Sequence, residues 1–176
     1  MMDLHILPEC YVDTNLVETI TKSRYNHKHG CHSVVKAMQE ANHLKDGFAV
    51  GIVDEDKKIL KYTQEFEVIV DKAQLKLLKH PRKNHYLIYV VPAIEKWIIQ
   101  NADEVNMHLS TYNLPHDYSE LQNHTKVKTS SKEGNFKDLF RALKKQNATG
   151  VLLLSKWITY LKAHPYDADL DFFLED

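Results

Sequence analysis

Phe48-Ala49-Val50-Gly51-Ile52-Val53-Asp54-Glu55-Asp56 is the stretch on which the fold turns. An apolar run without a polar interruption is followed at once by three acids. Such a run, opened by the turn residues Asp46-Gly47, reads as a strand covered on both faces, as in parallel sheets packed between helices. The acids then stand at the carboxyl end of that strand. Residues i and i+2 of an extended segment point the same way, so Asp54 and Asp56 share a direction.

Towards the N-terminus, residues 4–8 read as a second short buried strand, stopped by Pro8, with Glu9-Cys10-Tyr11-Val12-Asp13 at its end. Val12, Leu16 and Ile20 recur at helical spacing and predict a helix that ends before the polar loop Asn26-His27-Lys28-His29-Gly30. Ser33 is placed to cap a second helix carrying Val34, Met38 and Ala41. The order strand, helix, helix, strand argues for a parallel sheet with helices on both faces. Neighbouring parallel strands would bring Glu9, Asp54 and Asp56 to one sheet edge, and Asp13 lies near Glu9 once the helix has begun. Converging carboxylates repel one another, and a divalent cation is the usual remedy.

Towards the C-terminus, residues 65–70 read as a strand, 71–79 as a helix from the spacing of Leu75 and Leu78, and Tyr86 to Val91 as a strong strand. His80-Pro81 and Pro92 are the breaks. A helix from Ala93 carries Ile94, Trp97 and Ile98, with Glu95 in its first turn, where the helix dipole favours a carboxylate. Residues 110–135 are polar and read as a long connection with one short helix. Amphipathic helices follow over 136–147 and 150–163, with Trp157 in the second. The acidic tail contains Leu170, Phe172, Phe173 and Leu174, which predicts docking.

The length of 176 residues and 43% hydrophobic content suit one domain, with an α/β part over 1–109 and a helical extension over 110–176 packed on it. Two cysteines give no disulfide framework and point to a reducing compartment. No leader pattern is visible and no apolar run approaches the roughly 20 residues that span a membrane, so the expected setting is the cytoplasm. A net charge of −1 excludes attraction of the whole molecule to a polyanion. Basic residues nevertheless concentrate at Lys72, Lys76, Lys79, Arg82 and Lys83, and again from Lys126 to Lys145, which permits a phosphate-binding face. His27, His29, Cys31 and His32 are too compressed for the usual spacing of a structural zinc site and read as a polar loop.

The ordered pattern of strand, Glu9-x-x-x-Asp13, helix, Gly30-Cys31-His32-Ser33, strand and Asp54-x-Asp56 resembles a Toprim domain, in particular the branch of nucleases of the overcoming-lysogenization-defect type. Val91-Pro92-Ala93-Ile94-Glu95 is similar to a later strand and Ile-Glu helix of that family. The resemblance covers residues 3–100 and implies a mainly parallel four-stranded sheet flanked by helices. It implies that Asp54 and Asp56 bind Mg2+ (or Mn2+), that Glu9 acts in acid–base chemistry or joins the metal shell, and that Asp13 and Glu95 serve a second ion. Cys10 stands where the family usually has glycine, and no glycine follows Asp56. No ATPase domain accompanies the motif, so a protein partner such as an ATPase would supply it.

Tyr11-Val12-Asp13-Thr14-Asn15-Leu16 also resembles, more weakly, the opening of PIN-domain ribonucleases, which implies metal binding by Asp13, Glu40 and Asp103. The sequence therefore carries three expectations. The first is Mg2+-dependent binding of DNA or RNA with Toprim-type phosphodiester cleavage. The second is a non-catalytic Toprim-like module that binds a protein partner, and the third is a PIN-like ribonuclease.

Overall fold

Strand β4 (Phe48–Asp54) is buried along its whole length, and the rest of the chain is arranged around it. The computed structural model describes residues 2–26, 28–55, 60–126 and 134–175. Before β4 come β1 (Met2–Asp3), β2 (Ile6–Pro8), α1 (Tyr11–Thr21), β3 (Arg24–Tyr25) and α2 (Cys31–Glu40). After it come β5 (Glu67–Lys72), β6 (Leu75–Lys79), β7 (Asn84–Val90), α3 (Ile94–Glu104), α4 (Tyr118–Thr125), α5 (Gly134–Lys145) and α6 (Thr149–Ala163). Among the described residues, the main sheet has five strands in the order β2-β4-β7-β6-β5, and β1 and β3 form a separate parallel pair.

Period-two alternation along β4 assigns its side chains to two cores. Val50 and Ile52 join Val12, Leu16, Trp97 and the buried faces of α5 and α6 in one cluster. Ala49 and Val53 join Val34, Val35 and Met38 of α2 in the other. Helices therefore cover both faces of β4, as its unbroken apolar sequence requires. Each fully buried aliphatic side chain contributes roughly 1.5–3 kcal/mol to such a core.

The resemblance implied four mainly parallel strands, and the sheet differs. β2, β4 and β7 are mutually parallel, whereas β6 runs antiparallel to β7 and to β5. The helix expected over 71–79 is a hairpin instead. Ala73 and Gln74, at φ 52° and 54°, make its two-residue left-handed turn. Leu75 and Leu77 face one core and Leu78 the other, so β6 is apolar on both sides. The spacing of Leu75 and Leu78 fits either element, but the alternation Leu75-Lys76-Leu77 fits only a strand. α2 starts earlier than expected: Gly30 is its N-cap, and Ser33 sits inside the helix, donating Oγ–H to the His29 carbonyl.

The second half of the chain joins the first through the larger core, which runs from Ile6 to Phe173. α5 and α6 pack on α1. The tail docks as expected: Phe173 is buried and Phe172 stacks on Tyr160 at 3.6 Å between ring centroids. Among the described residues, no helix is long and apolar enough to cross a membrane.

Gly51 allows α2 to lie close to the sheet. A Cβ built there would fall 2.8 Å from both Leu87 Cδ2 and Val34 Cγ1, and 3.2 Å from Met38 Sδ. Gly51→Ala is expected to lower stability by roughly 1–3 kcal/mol, read as a drop in the urea midpoint. An unchanged midpoint would mean that the α2 contact yields freely.

Candidate cation site

The carboxyl ends of β2 and β4 meet through the side chains that follow them. Glu9 N–H donates to the Ile52 carbonyl at 3.0 Å, continuing the β2–β4 ladder one residue past Pro8. Glu9 Oε2 accepts from the Asp54 backbone N–H at 3.1 Å. Asp54 Oδ1 accepts in turn from Ile94 N–H at 3.0 Å, so it holds the first turn of α3, whose N-cap residue, Ala93, has no side-chain acceptor. Carboxylates at helix N-termini are favoured by the exposed N–H groups and the dipole.

Cys10 opens α1 with a capping box. Its Sγ accepts from Asp13 N–H at 3.5 Å, and Asp13 Oδ2 accepts from Cys10 N–H at 3.1 Å. The box turns the Asp13 carboxyl inward, leaving it 1% exposed; Glu9 is 6% exposed, and Asp54 and Glu95 are each 7% exposed. Glu95, in the first turn of α3, accepts a short hydrogen bond from Thr125 Oγ1 at the end of α4. Glu9, Gly30, Asp54, Glu95, Thr125 and Lys126 line one cavity of about 320 Å³.

The crowding is electrostatically expensive. Burial, together with the charges of Glu9 and Glu95, raises the Asp13 pKa from 3.8 to about 7. Burial also raises the Cys10 thiol well above its ordinary value, helped by Asp13 and Asp54. Asp13 Oδ1 is buried without a hydrogen-bond partner among the described residues. An orphaned carboxyl oxygen among three further carboxylates is a donor set suited to a hard divalent cation. Among the described residues, no three His, Cys, Asp or Glu side chains already stand in a ligating array.

Four of the five expected metal-binding residues thus come together: Glu9, Asp13, Asp54 and Glu95. The fifth, Asp56, lies outside the described residues, as does His27. Glu40 and Asp103, which the PIN resemblance would add, sit at the C-terminal ends of α2 and α3. The N-termini of those helices are at the site, and helices of ten and eleven residues place their far ends about 15 Å away.

The basic residues divide. Lys76 pairs with Tyr89 in the β6–β7 ladder, near the cavity end of β7, and its ammonium contacts Glu55 and Asp71. Lys79, Arg82 and Lys83 lie towards the other end of β7, a strand about 20 Å long. Lys79 Nζ donates to the His80 and Lys83 carbonyls, Lys83 Nζ donates to the Lys45 carbonyl, and Arg82 stands 3.9 Å from Glu65. Lys72 donates to the Glu175 carbonyl. In the later basic stretch, Lys137 meets Glu18 and Arg141 meets Asp138, whereas Lys126 lines the cavity. Gln122 and Thr125 also line it and carry no local motif; their place depends on the return of α4 to α3.

Searches of protein-family models, curated proteins and solved structures gave no match to this chain.

The raised Asp13 pKa fixes a pH dependence. The folded protein keeps a proton that the unfolded chain gives up near pH 4, so this contribution to stability is complete below about pH 4 and is lost as pH rises through about 7. Its slope cannot exceed about 1.4 kcal/mol per pH unit. In chelator, the wild type is expected to weaken relative to Asp13→Asn between pH 5 and pH 8 in urea unfolding. Parallel curves for the two proteins would show that Asp13 is ionised throughout.

Proposed function

We propose that this is a Toprim-like, Mg2+- or Mn2+-dependent protein that binds nucleic acid and cleaves phosphodiester bonds. The observation that supports this reading best is the meeting of Glu9 and Asp54 across 45 residues of sequence, with Asp13 and Glu95 in the same buried cluster. Acids at the ends of adjacent parallel strands are what the sequence pattern implied.

Asp54, Glu9 and Asp13 would hold the cation, with Glu95 at the α3 side. When bound, a divalent ion of this kind offsets charge on phosphate oxygens and lowers the pKa of a bound water. The protein's own part is positional. Asp54 is oriented by the α3 N-terminus, Glu9 by the Asp54 amide, and Glu95 by Thr125. Lys126, exposed at the cavity edge, would hold a backbone phosphate. Glu9 would accept or return a proton at the scissile group.

A second reading is a non-catalytic module that binds a protein partner such as an ATPase. The observation favouring it is that Lys72, Lys76, Lys79 and Lys83 donate to acceptors within the molecule, which engages N–H groups that a phosphate backbone would otherwise use, and Lys76 is also paired with two carboxylates.

Calorimetric titration with Mg2+ and Mn2+, paired with DNA and RNA degradation assays, separates these readings. Asp54→Asn is the informative variant, because an amide oxygen can still accept from Ile94 N–H. Wild type is expected to bind, and the variant to bind roughly tenfold or more weakly and to lose cleavage. A wild-type protein that binds neither ion would sink the cation reading. Binding without cleavage of any substrate would favour the module.

A further inference from the structure

We infer that the nucleic acid this site takes is single-stranded, and that Tyr11 and His29 form the surface on which one of its unpaired bases stacks. The inference rests on the nucleic-acid reading above and names its substrate class.

Both rings line the cavity that holds Glu9 and Asp54. Their centroids stand 6.0 Å apart with the ring planes at 77°, so they brace each other edge to face. The backbone fixes each of them separately. Tyr11 is the first residue of α1, directly after the Cys10 N-cap. His29 sits between two anchors: Lys28 N–H donates to the Pro8 carbonyl at 2.8 Å, and Gly30 N–H donates to the Glu9 carbonyl at 3.2 Å. The exit of β2 therefore positions the Glu9 carboxylate and both rings together. Gly30, at φ 86°, turns the chain into α2, and a Cβ built on it would meet nothing within 4 Å, so the space beside His29 is open.

Depth separates two kinds of lining residue. Glu9, Asp54 and Glu95 are only 6% or 7% exposed, whereas Tyr11 is half-buried and His29 and Lys126 are exposed. The acids form the floor, and the rings and the lysine form the rim. A phosphodiester that shares an ion with Glu9 and Asp54 must come down to that floor. The cavity, about 320 Å³, has room for a group the size of one nucleotide. A double helix, whose major groove alone is about 12 Å wide, would keep its phosphates at the rim. An unpaired strand can turn one nucleotide inward and leave its base against the rings. Stacking also suits the electrostatics. Carboxylates at the floor repel a phosphate chain, and the π-face of a base adds attraction that does not depend on net charge.

Fluorescence anisotropy tests this with a labelled single strand, as DNA and as RNA, and with the blunt duplex of the same sequence. The proteins are wild type, Tyr11→Phe, Tyr11→Leu and His29→Ala. Ca2+, which takes the same oxygen ligands as Mg2+ without its strict octahedral geometry, is the ion used. Wild type and Tyr11→Phe are expected to bind the single strand at least ~tenfold more tightly than the duplex. Tyr11→Leu keeps the apolar bulk and loses the ring. It should weaken single-strand binding by about fivefold or more and leave duplex binding unchanged. The dependence of affinity on salt should stay as in wild type, because stacking releases no counterions. His29→Ala, at an exposed position, should do the same and decides the matter if Tyr11→Leu fails to fold. Equal affinity of wild type for strand and duplex, or a single-strand preference that survives in either folded ring variant, overturns the inference and leaves the nuclease reading standing. A wild type that binds neither strand nor duplex removes both.

Discussion

The hydrogen bond from the Asp54 amide to the Glu9 carboxylate ties the exits of two neighbouring strands, and the geometry of the site follows from it. It requires β2 and β4 to be parallel and in register, Pro8 beside Ile52, so that both chains leave the sheet at the same edge. It also fixes Asp54 so that its Oδ1 meets the first turn of α3. One carboxylate positions the next residue, and that residue's side chain positions a helix. The buried acids are therefore part of the framework, and their orientation survives only while the strands stay paired.

Four carboxylates this close and this dry oppose folding in the absence of a counter-charge. Helix N-termini relieve part of the cost, since α1 and α3 both begin at the site. The proton on Asp13 relieves another part near neutral pH. What remains is stored repulsion, the kind of local destabilisation that the two apolar cores must outweigh. Their extent explains how the fold bears it: β4 is covered on both faces, and one continuous cluster reaches from Ile6 to Phe173.

Much of this was legible in the sequence wherever a residue's role is decided by its neighbours along the chain. The unbroken run 48–53 announced a doubly covered strand, and the acids after it announced the edge of the sheet. Glu9 and Asp13 followed from strand-end and helix-start logic. Non-local pairing was less visible. Nothing local sets β6 antiparallel to β7, and the leucines that pack β6 on both faces share a helix-like spacing. The β1–β3 pair is two residues deep and leaves no periodic trace. Thr125 and Gln122 reach the cavity through α4, which a reading of motifs had no means to place. Basic residues looked like a phosphate face because composition counts charges without their acceptors; Lys83 ends on the Lys45 carbonyl rather than in solvent.

The bond between Thr125 and Glu95 bears on how the protein can be dissected. Residues 1–109 hold the whole described sheet and α1–α3, and by sequence they read as the α/β part on which the helical extension packs. Yet one wall of the cavity comes from Gln122, Thr125 and Lys126, and the apolar side of α1 is roofed by Phe136, Phe140 and their neighbours on α5. A fragment cut at 109 would keep most of the acidic residues and lose both the wall that restrains Glu95 and the roof over α1. It would present a bare apolar face to solvent, so its behaviour would report on the missing half rather than on the chemistry of the cleft.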